Sequence, residues 1–283
     1  MKNLILFLAV FILGCGEWGG ELIKSDYEPE LNIFGLLNLN EYEESFIIVT
    51  RTAKLEENVG YSWDYIDYYN NNMTSLEIED AEVFIYDEFQ DTIQFYFSNS
   101  RYIANGFEPK PETKYNIVVN ARSENLFATG STTTPSIIQF QSDSLADTLI
   151  VNENFQLNWD STLSPLEISI SEFNIHWESN FCIERELYYY TNGETTDEFD
   201  IDLCDFYVYY ESYPVENYMG VSFNLRAFDQ NYYDYFILND DSEFINFIIG
   251  QPGATAKSFG INGGLGVFGS ISSDNFIKIL RID

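Results

Sequence analysis

Alternation of apolar and polar residues at every second position constrains this chain more than any other feature of its sequence. Ala81, Val83 and Ile85 alternate with Glu82, Phe84 and Tyr86, and Ile93, Phe95 and Phe97 alternate with Gln94, Tyr96 and Ser98. Tyr115, Ile117 and Val119 continue the pattern after the turn-rich Pro109-Lys110-Pro111-Glu112. Successive side chains of a strand leave on opposite faces, so a period of two reads as strands with one face on a core. The run Ser45-Phe46-Ile47-Ile48-Val49-Thr50 is β-branched and aromatic, as strands prefer. Long stretches with the 3.6-residue period of an amphipathic helix are missing. Short strands separated by polar turns predict β-sandwich packing.

Thr132-Thr133-Thr134-Pro135 marks the best domain boundary. Beyond it, Phe155, Leu157 and Trp159 point one way while Gln156, Asn158 and Asp160 point the other. Phe173, Ile175 and Trp177 make a second such face, and Val221, Phe223, Leu225 and Ala227 a third. A tryptophan on an early strand, then a late strand running into Ala227-Phe228-Asp229, resembles a fibronectin type III module. The expected fold is all-β, with two β-sandwich domains of immunoglobulin or fibronectin III type after a lipoprotein signal peptide. Residues 31–137 form the first domain, and residues 138–283 form the second with a glycine-rich tail. Hydrophobic residues at 45% and aromatic residues at 17% suffice for sizeable cores and argue against disorder.

The N-terminus carries an address. Lys2 precedes an apolar run from Leu4 to Leu13, followed by small Gly14 and then Cys15. This is the layout of a secretory signal over residues 1–14, and the run is too short for a spanning helix of roughly 20 residues. Ile12-Leu13-Gly14-Cys15 matches the lipobox of bacterial lipoproteins, in which the peptidase cuts before a cysteine whose thiol carries diacylglycerol. Cys15 is therefore the expected lipidation site, and residues 15–30, opening Cys-Gly-Glu-Trp-Gly-Gly-Glu, form the tether. Gly16 stands where an Asp would retain other Gram-negative lipoproteins in the inner membrane. By that resemblance the expected location is the outer membrane, on its periplasmic or surface face.

Forty-six acidic residues against 13 basic ones give a net charge of −33. Nucleic-acid binding, which depends on Lys and Arg neutralising phosphates, is excluded on this ground. The acidity serves solubility or, more specifically, cation binding. Asp200 and Asp202 would share one face of a strand in Asp197–Asp205, where a calcium ion would relieve their repulsion. That stretch lacks the glycine and terminal glutamate of an EF-hand loop. Cys182 and Cys204 are the remaining cysteines; in an oxidising compartment such a pair forms a disulfide, stabilising by about 3 kcal/mol on chain-entropy grounds. Two buried thiols are the alternative.

Catalytic signals are poor, and no enzymatic activity is expected. Gly264-Leu265-Gly266-Val267-Phe268-Gly269 fits a dinucleotide fingerprint, but the chain ends at Asp283 without room for the required helix and acidic residue. It reads as a bent strand or glycine loop. His176, the one histidine, alternates to the polar side with Asn174 and Glu178 and has no nucleophile motif beside it. Aromatics gathered in polar stretches point instead to binding: Tyr61, Trp63, Tyr65, Tyr68 and Tyr69 are the leading candidates. Tyr188-Tyr189-Tyr190 and Tyr232, Tyr233 and Tyr235 form two further clusters, for which ordinary packing is the first reading and binding the alternative.

Several segments in order carry a family resemblance. They are Leu31–Leu37, Ile48–Thr52, Ala81–Asp87, Thr129–Thr133 and the closing Asn262–Ser270. In this order, after a lipobox, the chain resembles the lipoprotein family called domain of unknown function 4249. The resemblance implies an outer-membrane lipoprotein, commonly encoded near TonB-dependent receptors, with no known catalytic residues. The region from Cys182 to Cys204 departs from the family pattern. The expected function is thus a lipid-anchored binding or accessory protein assisting a TonB-dependent receptor in nutrient uptake. A surface adhesin or glycan-binding module is the alternative.

Overall fold

The structure, a computed structural model, describes residues 28–40, 43–54, 57, 75–89, 91–141, 145–150, 153–173, 185–190, 193–199, 218–238 and 257–281. Its strands in the first half are β1 (Leu31–Asn38), β2 (Phe46–Arg51), β3 (Glu82–Asp87), β4 (Thr92–Ser98), β5 (Arg101–Ile103), β6 (Lys114–Ala121) and β7 (Leu126–Thr133). The second half holds β8 (Thr148–Ile150), β9 (Phe155–Asn158), β10 (Leu166–Phe173), β11 (Arg185–Tyr190), β12 (Thr196–Phe199) and β13 (Tyr218–Phe228). Helix α1 (Gln230–Phe236) follows, and β14 (Ser258–Phe259), β15 (Ile261–Asn262) and the long β16 (Gly264–Arg281) close the described chain. The protein is all-β apart from that one helix among the described residues, as the alternation predicts. No helix among the described residues is long and apolar enough to cross a membrane.

Alternating positions do bury one face. Ala81, Val83 and Ile85, Phe95, and Tyr115, Ile117 and Val119 all lie in the first core, with Leu31, Ile33, Leu37, Ile47 and Val49. Around this core the sheet runs β16-β1-β2-β5-β4-β3-β6-β7-β15. β15 pairs with β7 while β14, just before it, pairs with β16, so the sheet curls until its two ends meet through one short segment. Tyr102 fastens β5 inside this core: its hydroxyl donates to the Ile78 carbonyl at 2.7 Å and accepts from the Ala81 N–H at 2.8 Å.

The second core contains Leu157, Trp159, Leu166, Ile168, Ile170, Phe199, Val221, Phe223, Leu225 and Ala227. It lies between the run β11-β10-β13-β16 and the two-stranded β9-β12 sheet, a sandwich-like arrangement. Phe155 of β9 meets Phe223 of β13 edge-on at 5.6 Å, and Phe199 of β12 meets Tyr188 of β11 at 4.8 Å. Trp159, on the face read from the sequence, is fully buried, and its indole N–H donates to the Glu194 carbonyl at 2.7 Å. Of the face Phe173, Ile175 and Trp177, the last two lie outside the described residues.

β16 belongs to both halves. Its first part pairs in parallel with β1, from Leu31↔Gly264 to Asn38↔Ile271, and its second pairs antiparallel with β13, from Phe228↔Ile271 to Tyr218↔Arg281. The glycine-rich tail, assigned from sequence to the second domain, therefore lies along the first strand of the first half and sends Phe268 into the first core. Two glycines permit this approach. Gly266 has φ +102°, and a Cβ there would collide with the Ile33 carbonyl; Gly35, opposite Phe268, leaves room for the ring.

Candidate functional site

The sequence-derived site residues lie outside the described residues: Cys15, the Cys182–Cys204 pair, Asp200 and Asp202, His176, and the aromatic set Tyr61, Trp63, Tyr65, Tyr68 and Tyr69. Among the described residues, no three His, Cys, Asp or Glu side chains gather closely enough to hold a metal ion.

The two further tyrosine clusters are described, and they mostly pack. Tyr188 and Tyr190 flank the second core; Tyr190 lies 5.2 Å from the Trp159 ring and its hydroxyl donates to Asp197 at 2.7 Å. Burial, then the Asp197 carboxylate, push the Tyr190 hydroxyl far above its ordinary range. Tyr189 points to the other face and is 42% exposed. Tyr232 stacks on Phe228 at 5.2 Å, Tyr233 is buried, and Tyr235 contacts Phe236 and Phe259. Burial raises the Tyr235 hydroxyl to about 12. These rings belong to the scaffold, where strand and helix spacing turns them inward.

A surface that does present aromatics lies on the outside of the first half. Tyr96 of β4 and Phe127 of β7 are 62% and 58% exposed. Register places Phe127 opposite Asn120 of β6, and Asn120 opposite Glu82 of β3; Tyr96 follows Phe95, which faces Val83. The result is one row across four adjacent strands, roughly 14 Å from β4 to β7 at about 4.8 Å per step. Its middle is polar: Asn120 donates to Glu82 at 3.3 Å and Arg122 pairs with the same carboxylate at 2.8 Å. Phe84, Val118 and Thr129 make the next row on that face. Rigid rings flanking a hydrogen-bonding centre give contact area at little entropic cost and a polar pattern for specificity. The Glu82–Arg122 pair is solvent-screened, so it contributes little to stability.

A second constellation is buried. Asp229, just after β13, is 5% exposed. Its Oδ1 accepts from the Tyr232 N–H at 3.1 Å, capping α1, and from the Ser270 N–H at 2.9 Å. Its Oδ2 accepts from the Thr132 hydroxyl of β7. Burial raises this carboxyl to about 6, and the donors from Thr132, Ser270, Tyr232 and Asn231 oppose the rise only partly. Elsewhere Asp87 shows the opposite balance. Its burial would raise the carboxyl, yet the N–H groups of Asp91 and Phe89 and the Lys110 ammonium at 3.2 Å hold it below its ordinary value.

Comparison with known proteins adds no family. No family model matches the chain, and no curated protein matches it. Among solved structures, the crystal structure of CBD12 from CALX1.2 is similar at 10% identity, covering 86% of this chain and 100% of that one, with a TM-score of 0.19. A likeness at that score constrains neither fold nor ligand.

The sequence held a signal for the outer row. Tyr96 falls with Gln94 and Ser98 on the polar side of its strand, where a large ring is unexpected. Linking it to Phe127, thirty-one positions away, requires the strand order. Asp229 carried the helix-start signal of an acidic N-cap before Gln230–Phe236, a helix too short to show a long amphipathic period.

Proposed function

We propose that this protein is a lipid-anchored outer-membrane lipoprotein, built from two immunoglobulin- or fibronectin III-like β-sandwich domains, that binds and assists a TonB-dependent receptor in nutrient uptake. One observation carries the anchoring: Ile12-Leu13-Gly14-Cys15 closing the apolar run from Leu4. The all-β body that follows suits a display scaffold, and the row from Tyr96 to Phe127 supplies a contact surface of the right chemistry. Family resemblance alone points to the receptor. The Cys182–Cys204 disulfide and a calcium ion at Asp200 and Asp202 belong to the same proposal and rest on sequence.

Replacing Cys15 by Ser should abolish incorporation of labelled palmitate and release the protein from the membrane fraction. Persistent membrane retention of an unlabelled variant would refute the lipid anchor. Co-purification from gently solubilised membranes should recover an outer-membrane barrel with the wild type. Recovery should fall at least tenfold with Tyr96→Ala/Phe127→Ala, whose circular dichroism should be unchanged. The exposed rings around Asn120 and Glu82 also suit the face and hydroxyls of a neutral sugar. If wild-type extracts never yield a barrel while the protein binds a glycan array through those residues, the glycan reading replaces the receptor.

A further inference from the structure

We propose that Asp229 is a proton-operated latch joining the two halves of the molecule, drawn tighter when it takes up a proton. Three elements meet at this one side chain. Thr132 belongs to β7, whose Ala128 lies in the first core; Ser270 sits in β16 where that strand passes from β1 to β13; and Asp229 directly follows β13 of the second half. The joint is reinforced around it. The Asp229 N–H donates to the Ser270 carbonyl at 3.0 Å, and the Asn231 amide donates to the carbonyls of Ser131 and Phe268, both at 2.9 Å. Space is tight too: a Cβ at Gly269 would lie 3.0 Å from the Asp229 carboxylate and 2.9 Å from Tyr232.

The network is satisfied in both protonation states. Ionised, the carboxylate accepts from two N–H groups and the Thr132 hydroxyl. Neutral, it still accepts the two N–H groups on Oδ1, while its own O–H on Oδ2 donates to Thr132. The Thr132 hydroxyl then turns toward Ser270 Oγ, 3.4 Å away. Protonation thus keeps the bonds and removes a charge from a site shielded from water. The surroundings do not compensate that charge. From β7 and β16 the facing groups are the Thr132 and Ser270 hydroxyls and backbone, none of which titrates as an acid or base near neutrality. From β13 and β10 the charged groups are Arg226 and Glu167, paired to each other at 3.2 Å. From α1 the titratable groups are the neutral Tyr232 phenol and the half-buried Asp234, which accepts from Gln230 at 2.6 Å.

The sign follows from linkage. The carboxyl stands at about 6 in the folded protein against 3.8 ordinarily, so its contribution to stability is fully present below 3.8 and is lost as pH rises through 6. The test compares the full-length protein with Asp229→Asn in urea melts from pH 4 to 7.5. Asparagine can keep every bond, its Oδ1 taking both N–H groups and its Nδ2 donating to Thr132, and it does not titrate. Relative to this variant, the wild-type unfolding constant should rise about sixtyfold across that window. Direct carboxyl titration of Asp229 by NMR should give a midpoint near 6, and Thr132→Val, which removes a donor to the ionised form, should move it upward. A constant offset between wild type and Asp229→Asn overturns the latch. So does an Asp229 midpoint near 4, a reading that needs no folded variant.

Discussion

The pairing of Gly35 with Phe268 makes a quantitative test of how β16 enters the first core. Phe268 is fully buried, and removing its ring by Phe268→Ala should cost about 3–5 kcal/mol through lost burial and the cavity left behind. Gly35 has an ordinary φ, so alanine there meets no backbone strain, but its Cβ would stand 2.8 Å from Phe268 Cδ2 and 3.6 Å from Ile47 Cγ1. In the wild type this overpacks a closed core, so Gly35→Ala should cost about 1–3 kcal/mol. In the Phe268→Ala background the same methyl enters the vacated space. It gains about 0.8 kcal/mol of burial and about 0.4–1 kcal/mol from a stiffer unfolded chain, so the substitution changes sign. A double-mutant cycle by urea denaturation, followed by circular dichroism, should therefore return a favourable coupling of about 3 kcal/mol. Additivity within about 0.5 kcal/mol would mean that the ring does not lie over Gly35, and the parallel pairing of β1 with β16 would fall with it.

Tyr102→Phe strips the partner from the buried Ala81 N–H and Ile78 carbonyl, and should cost about 1–3 kcal/mol in the same assay. Burial raises the Tyr102 hydroxyl to about 12 against the donation from Ala81, with Asp80, Glu79 and Glu77 adding to the rise. That residue's stability is thus whole below pH 10 and lost as pH climbs through 12; alkaline melts of wild type and Tyr102→Phe should converge there. Trp159→Phe removes the bond to Glu194 and leaves a void in the second core, worth about 2 kcal/mol; a loss below about 0.5 kcal/mol would show the indole to be dispensable.

Much of the architecture was present in local pattern. Val221, Phe223, Leu225 and Ala227 are all fully buried, and so is Trp159, because a strand with one face on a core must place its apolar residues at every second position. The site was less accessible. Tyr188 and Tyr190 allowed either packing or binding, and their alternate positions on β11 turn them to Phe199 and Trp159, which decides for packing. Tyr96 stood out as a ring on the polar side of its strand, but it joins Phe127 in one surface only when β4, β3, β6 and β7 are laid side by side.

By itself the sequence determined a strand-built body and the faces that its strands bury. Only the tertiary structure decided that β16 runs through both halves, that Phe268 fills the space over Gly35, and that Asp229 meets Thr132 across ninety-seven positions of chain. The physical reason is the range of the interactions. Periodicity is a property of neighbouring residues, whereas parallel pairing and the burial of a charge depend on which distant backbones arrive at the same place.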